Sequence, residues 1–120
     1  MLSALRRFWI LSLFIAFGVN AQAAHNAVIK WGASPDAGAN PSLGYNVYKL
    51  ATTCPASGTA GFSKVNSAPI SALTFTDSPL AVGSVCYYVT ATLNGTESVP
   101  SNTAGGTVTP ATVSITITIS

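Results

Sequence analysis

Beyond its first 24 residues the chain shows no stretch of helical periodicity. Its apolar residues fall instead in short runs of period two, and each run stops at a cluster of Gly, Pro, Asn, Asp or Ser. The longest is Val85 to Leu93 (VCYYVTATL), closed by Asn94-Gly95, a pair suited to the positive φ angles of a two-residue hairpin turn. Leu43 to Leu50 (LGYNVYKL) alternates around Tyr45 and Val47, Ala27 to Trp31 is rich in β-formers, and shorter runs lie at Phe62 to Val65 and Leu73 to Thr76. Ser34 to Pro41 and Asp77-Ser78-Pro79 read as turns. Residues two apart share one face of a strand, so each run has one apolar face to bury against another sheet. The expectation is an all-β, antiparallel two-sheet sandwich. Its core would hold Ile29, Trp31, Tyr45, Val47, Phe75, Leu80, Tyr87, Val89 and Ala91.

Residues 1–23 read as an address rather than as part of that fold. Arg6 and Arg7 precede the apolar run Phe8 to Val19, and Ala21-Gln22-Ala23 supplies the small residues of a signal-peptidase site, with cleavage between Ala23 and Ala24. The run is short of the ~20 residues a spanning helix needs, so a cleaved secretory leader is favoured over a retained anchor, and no stable membrane span is expected after cleavage. No Cys follows the site, which argues against a lipid anchor. General secretion fits better than twin-arginine export. The location implied is secreted or periplasmic.

Removing the leader changes the charge. The whole chain carries +2 with 7% charged residues, but both arginines are in the leader. Lys30, Lys49 and Lys64 then balance Asp36, Asp77 and Glu97. A neutral, charge-poor chain is no nucleic-acid binder and offers no electrostatic handle to a partner. Cys54 and Cys86 both follow the leader, and an oxidising compartment favours pairing them. A reactive thiol or a metal pair are the alternatives. Neither a C-x-x-C spacing nor a second His supports them, the lone His25 lying just after the cleavage point.

The ordered set Ile29-x-Trp31, Gly44-Tyr45-x-Val47-Tyr48, Phe75-x-Asp77, Gly83-x-x-x-Tyr87-x-Val89-x-Ala91 and Glu97-Ser98-x-Pro100-Ser101-Asn102 resembles a fibronectin type III domain. It is similar in particular to the short modules of exported bacterial proteins, and the resemblance runs from about Ala27 to Val108. It implies an immunoglobulin-like sandwich over residues 24–109 used for adhesion, spacing or protein contact. Two departures stand out. Val85 occupies the place of the family's corner tyrosine, so the disulfide is expected to serve as the local staple, with Cys86 turned away from the core. It would clip the segment after Leu50 onto the Val85–Leu93 strand. The family's usual first strand is missing, which leaves the edge of the Trp31 strand open.

Residues 110–120 are a surplus. Val113 to Ile119 (VSITITI) alternates without a break, has no charge, and would be an aggregation hazard if left free. It can cover the vacant edge of its own domain, belong to a following region or stay loose, or be donated to a neighbouring copy.

For catalysis the inventory is thin. Asp36 and Asp77 sit in turns, Glu97 follows a hairpin, and no nucleophile motif or phosphate-binding Gly loop is present. No cofactor and no metal site are implied, and the chain does not read as an enzyme. For binding, Asn46, Tyr48 and Tyr88 lie on outward positions of neighbouring strands and form one candidate face, against the plainer reading of cross-strand stabilisation. The loop Asn94, Gly95, Thr96 and Glu97 is the other candidate. The function expected is an exported binding or spacer module for a protein or cell-surface component. The alternatives are a subunit that self-assembles into homo-oligomers through its tail, and a glycan-contacting module.

Overall fold

The computed structural model describes residues 24–120, so the expected leader and its cleavage residue Ala23 lie outside the described residues, and Ala24 is the first within them. Eight strands follow: β1 (His25–Trp31), β2 (Gly44–Leu50), β3 (Ser63–Lys64), β4 (Thr74–Leu80), β5 (Gly83–Leu93), β6 (Thr96–Glu97), β7 (Ala104–Val108) and β8 (Ser114–Ile119). They form two sheets packed as a sandwich. One holds β4, β1 and β8 in that order, and the other runs β3, β2, β5, β6, with β7 also pairing on β5.

The long apolar run became the organising strand. β5 pairs with β2 from Gly44↔Thr92 to Leu50↔Cys86, with β6 near its end, and with β7 from Gly83↔Val108 to Tyr87↔Ala104. Asn94 (φ 53°) and Gly95 (φ 83°) both take the left-handed backbone that the β5–β6 hairpin requires. The expected turn at Asp77-Ser78-Pro79 is a correction: these residues lie inside β4, and the chain bends after Leu80. Pro79 is tolerated there because β4 is an edge strand and needs no ladder donor on its outer side.

The core follows the alternation. Ala27, Ile29 and Trp31 of β1 meet Tyr45 and Val47 of β2, Val85, Tyr87 and Val89 of β5, together with Leu43, Leu80 and Val108. Phe75 and Ala91 are half-buried and pack against this cluster. Ile117 and Ile119 complete it from β8, with Ile115 half-buried beside them.

Residues 110–120 are therefore a strand of the smaller sheet. β8 runs parallel to β1 in unbroken register from Asn26↔Ser114 to Trp31↔Ile119. The sandwich is antiparallel everywhere except at this pair. Among the described residues no strand precedes β1, and β8 occupies the edge its absence leaves. The entry to β8 is pinned by Asn26, whose N–H donates to the Val113 carbonyl at 3.0 Å, and by His25 Nδ1 against the Thr112 carbonyl. Gly106 admits the strand: a Cβ there would sit 3.1 Å from Ile115 Cδ1.

Seating by isoleucines predicts unequal sensitivity along β8. Ile117→Ala should cost about 2–5 kcal/mol in urea denaturation, as for other buried large-to-small changes, and Ile115→Ala clearly less. Equal costs would mean that β8 is not docked as described.

Candidate functional site

The face of β2 and β5 that points away from the core carries the first candidate. Directly opposed pairs there are Asn46↔Thr90, Tyr48↔Tyr88 and Leu50↔Cys86. The two tyrosine rings stack with centroids 4.7 Å apart and planes 6° apart, and Phe62 meets Tyr88 edge-on at 4.9 Å. The Cys54–Cys86 disulfide lies on the same face, with a Cα separation of 5.1 Å. It ties the segment after Leu50 to β5, so that the loop carrying Phe62 lies across the sheet. Gly105 is needed for this, since a Cβ there would fall 2.7 Å from the Val85 carbonyl and 3.0 Å from Cys54 Sγ. Cys86 faces away from the core but is fully buried beneath this cover.

The covering overturns the reading of Asn46, Tyr48 and Tyr88 as an open binding face. Tyr88 is only 8% exposed and Asn46 only 4%. Asn46 Oδ1 accepts a hydrogen bond from Asn66 Nδ2 at 2.9 Å, while Asn66 Oδ1 accepts the Val47 N–H at 2.8 Å. Asn66 thereby extends the edge pairing of β2 where β3 has ended. Only Tyr48 stays half-exposed, and its hydroxyl donates to the Glu97 carboxylate at 2.8 Å. Thr90 Oγ1 donates to the same carboxylate at 2.7 Å. Of the candidate loop, Asn94 and Gly95 form an exposed turn and Thr96 pairs with Leu93, while Glu97 is turned back onto the sheet. The glycan-contact alternative thus loses its stacking platform.

The electrostatics follow from these contacts. Burial and then the Glu97 hydrogen bond push the Tyr48 phenol up to about 12. Hydrogen bonds from Thr90 and Tyr48 hold the Glu97 carboxyl below its usual range. A second polar group staples the two sheets: Tyr87 donates to Asp77 Oδ2 at 2.7 Å, and Lys49 Nζ lies 3.0 Å from the same oxygen. Burial, then this bond, raise the Tyr87 phenol well above its ordinary value. Asp77, read from sequence as a turn former, is the acceptor of this staple.

The feature that sequence reading missed is a cleft at the end of the sandwich where β1 and β8 finish. It encloses about 490 Å³ and is walled by Trp31, Pro35, Tyr45, Val89, Val99 and Ile119. That volume falls in the usual range for small-ligand or side-chain pockets. Trp31 and Tyr45 rings meet at 5.6 Å and 59° on its floor, and the Tyr45 hydroxyl accepts the Ser34 N–H at 2.8 Å, which fixes one rim. The other rim is the segment after β6. Ser98 and Ser101 Oγ accept the N–H groups of Ala91 and Val89 at 3.0 and 2.8 Å, while their own N–H groups donate to the Ala91 and Val89 carbonyls at 2.8 and 2.9 Å, so side-chain oxygens stand in for the carbonyl half of a ladder. Between them Val99 stands 84% exposed. The Trp31 indole N–H is buried and has no acceptor among the described residues. The sequence signals were the Trp31 position and the Ser98-x-Pro100-Ser101 pattern, but Trp31 read simply as core.

No protein-family model matches the chain, and no curated protein matches it.

Two outcomes follow for the covered face. The Tyr48 shift contributes stability that is complete below the free phenol value of about 10 and is lost as pH rises toward about 12. The depressed Glu97 contributes stability present above the free carboxyl value and lost as pH falls through its folded value. Glu97→Gln should therefore bring the Tyr48 titration, followed by tyrosinate absorbance against Tyr48→Phe, partway back toward the free value; burial, the larger cause, remains. Independently, Cys54→Ser with Cys86→Ser should destabilise by roughly 2–4 kcal/mol and increase Tyr88 accessibility to iodination. An unaltered Tyr88 would show that the loop is held without the disulfide.

Proposed function

We propose that this chain is an exported, non-catalytic module of the fibronectin type III kind that makes contact with a protein or cell-surface component. The observation that carries this reading is the cleft beside Trp31, whose exposed apolar rim at Val99 contrasts with an outer sheet face that is closed by its own loop. A cleft with mostly apolar walls buries a side chain well, and its polar margin of Ser34, Asp36, Thr90, Ser98, Ser101 and Ser120 can hydrogen-bond a bound segment. The resemblance gains support from where its residues lie. Ile29 and Trp31 on β1, Tyr45 and Val47 on β2, and Tyr87 and Val89 on β5 converge on one core. The disulfide is compatible with an oxidising compartment. Among the described residues no helix is long and apolar enough to cross a membrane.

The test is photo-crosslinking in the cells that produce the protein, with a benzophenone side chain at position 99 or, as control, at the exposed Thr74 on β4. The expected result is discrete adducts from position 99 alone. The mature chain recovered from the envelope or medium should begin at Ala24 and carry no free thiol. Absence of adducts at both positions would overturn the contact role. A cytoplasmic chain with its leader and both thiols intact would overturn export.

A further inference from the structure

The edges of the two sheets are not treated alike. β3 and β6 are two-residue strands carrying Lys64 and Glu97, and β4 carries Asp77 and Pro79. Short length, charge and proline are the usual means of keeping a strand edge from pairing with another chain. β7, paired only on β5, is also uncharged and free of proline, but it is one residue shorter and carries Gly105 and Gly106; β8 has none of these devices. It is the outermost strand of its sheet, six residues long, and no charged residue occurs anywhere from Ser98 to Ser120.

The direction of its free backbone groups follows from its pairing. The Val113 carbonyl accepts the Asn26 N–H, so the backbone groups of residue 113 face β1. Backbone groups alternate sides along a strand, which assigns 115, 117 and 119 to β1 as well. Those of Ser114, Thr116 and Thr118 face outward. Among the described residues no hydrogen bond outside β8's own ladder engages them. The side chains of these three residues are exposed, on the solvent face of the sheet.

The sequence of this edge is a palindrome in residue type. Around Thr116, Ile115 mirrors Ile117, Ser114 mirrors Thr118, and Val113 mirrors Ile119. The centre of the palindrome is one of the residues whose N–H and C=O point outward. An antiparallel pair that exchanges both hydrogen bonds of one residue with its own copy needs that coincidence.

We propose that β8 is a homodimer edge: two copies pair antiparallel about a two-fold axis at Thr116, joining their three-stranded sheets into one. The hydrogen-bonded pairs are Thr116 with Thr116 and Ser114 with Thr118, and Ile115 lies opposite Ile117. This register keeps every isoleucine on the core side and every hydroxyl on the solvent side across the junction, as one-residue slips would not. A second copy is the occupant because a two-fold edge demands a self-complementary partner, and the sequence supplies one. β8 itself carries no charge to oppose an identical chain, and the nearest one in its ladder, Lys30, stands a strand away on β1. The tail stays in its own sheet throughout; pairing uses its outer side only.

Sedimentation velocity of the exported full-length product, from micromolar to millimolar protein, reads the association. Thr116→Lys, at an exposed position, sets like charges face to face at the axis and should weaken dimerisation by at least about tenfold, with thermal stability of the monomer unchanged. Register is read by oxidation: a hydrogen-bonded pair places Cα atoms about 5.5 Å apart, within disulfide reach. Thr116→Cys should therefore form a covalent dimer, and Thr118→Cys should not, because it faces Ser114. Wild-type amide exchange decides the matter without any variant, since protection of residues 114, 116 and 118 should rise with protein concentration. A monomer across the whole range, concentration-independent exchange at these amides, or equal crosslinking at 116 and 118 would overturn the proposal.

Discussion

The pairing of β8 with β1 is the constraint on which the rest of the sandwich rests. β1 brings Ala27, Ile29 and Trp31 to the core, and only two-sided pairing makes it a central strand. Remove β8 and β1 becomes an edge with its ladder groups open. The inter-sheet space also loses Ile117 and Ile119, each worth roughly 1.5–3 kcal/mol of burial. In a domain of this size, whose net stability is of order 5–15 kcal/mol, that is a large share. The parallel direction is a consequence of topology. β8 follows β7 in the facing sheet, and the short turn Thr109–Thr112 crosses the edge of the sandwich. The strand enters beside Asn26 and can only run alongside β1 in the same sense.

Period-two patterning was legible because it depends on nothing but local order. It located β1, β2 and β5 and their inward residues, and Asn94-Gly95 marked a real hairpin. The tail's fitness to pair was also readable from its alternation, whereas the vacant edge beside β1 came from the fibronectin type III resemblance, and three fates of the tail stayed open. Two things were not legible. Asp77-Ser78-Pro79 has turn chemistry, yet β4 keeps it extended because Asp77 is held by Tyr87 and Lys49 from the facing sheet. That is a tertiary override of local preference. The covering of Tyr48 and Tyr88 was hidden for a similar reason. Alternation says which side of a sheet a residue faces, but a twelve-residue loop returning over that side is a long-range event. Its cause is the Cys54–Cys86 link and the fit of Phe62 against Tyr88.

The cleft escaped notice because Trp31 fills two roles at once. As a core residue it is nearly buried, and as the last residue of β1 it also forms the floor of the opening. Burial pattern alone does not separate these. What opens the cleft is the replacement of strand by serine hooks. Ser98 and Ser101 satisfy Ala91 and Val89 with side-chain oxygens, so the segment between them bulges and lifts Val99 outward. A regular strand there would have closed the gap.

The scarcity of charge gives these features their arrangement. Lys49 and Asp77 are spent between the sheets, and Glu97 is drawn into the hydroxyls of Tyr48 and Thr90, near Lys64. Each of these stands on β2, β3, β4 or β6, so that half of the molecule is polar at its edges. The segment from Ser98 through β7 and β8 carries no charge and contains one rim of the cleft and the outer edge of β8, with Lys30 of β1 beside Thr118 and Asp36 on the opposite side of the cleft. Residues 24–120 carry no net charge, so this part of the chain has no long-range repulsion to keep copies or partners apart. Contact on the charged side is resisted by groups that already have partners and would have to surrender them. Contact along the uncharged segment desolvates mainly Ile, Val, Ser and Thr, with Lys30 and Asp36 at its margins. The four charges placed on β2, β3, β4 and β6 thus leave both proposed contacts to the uncharged segment.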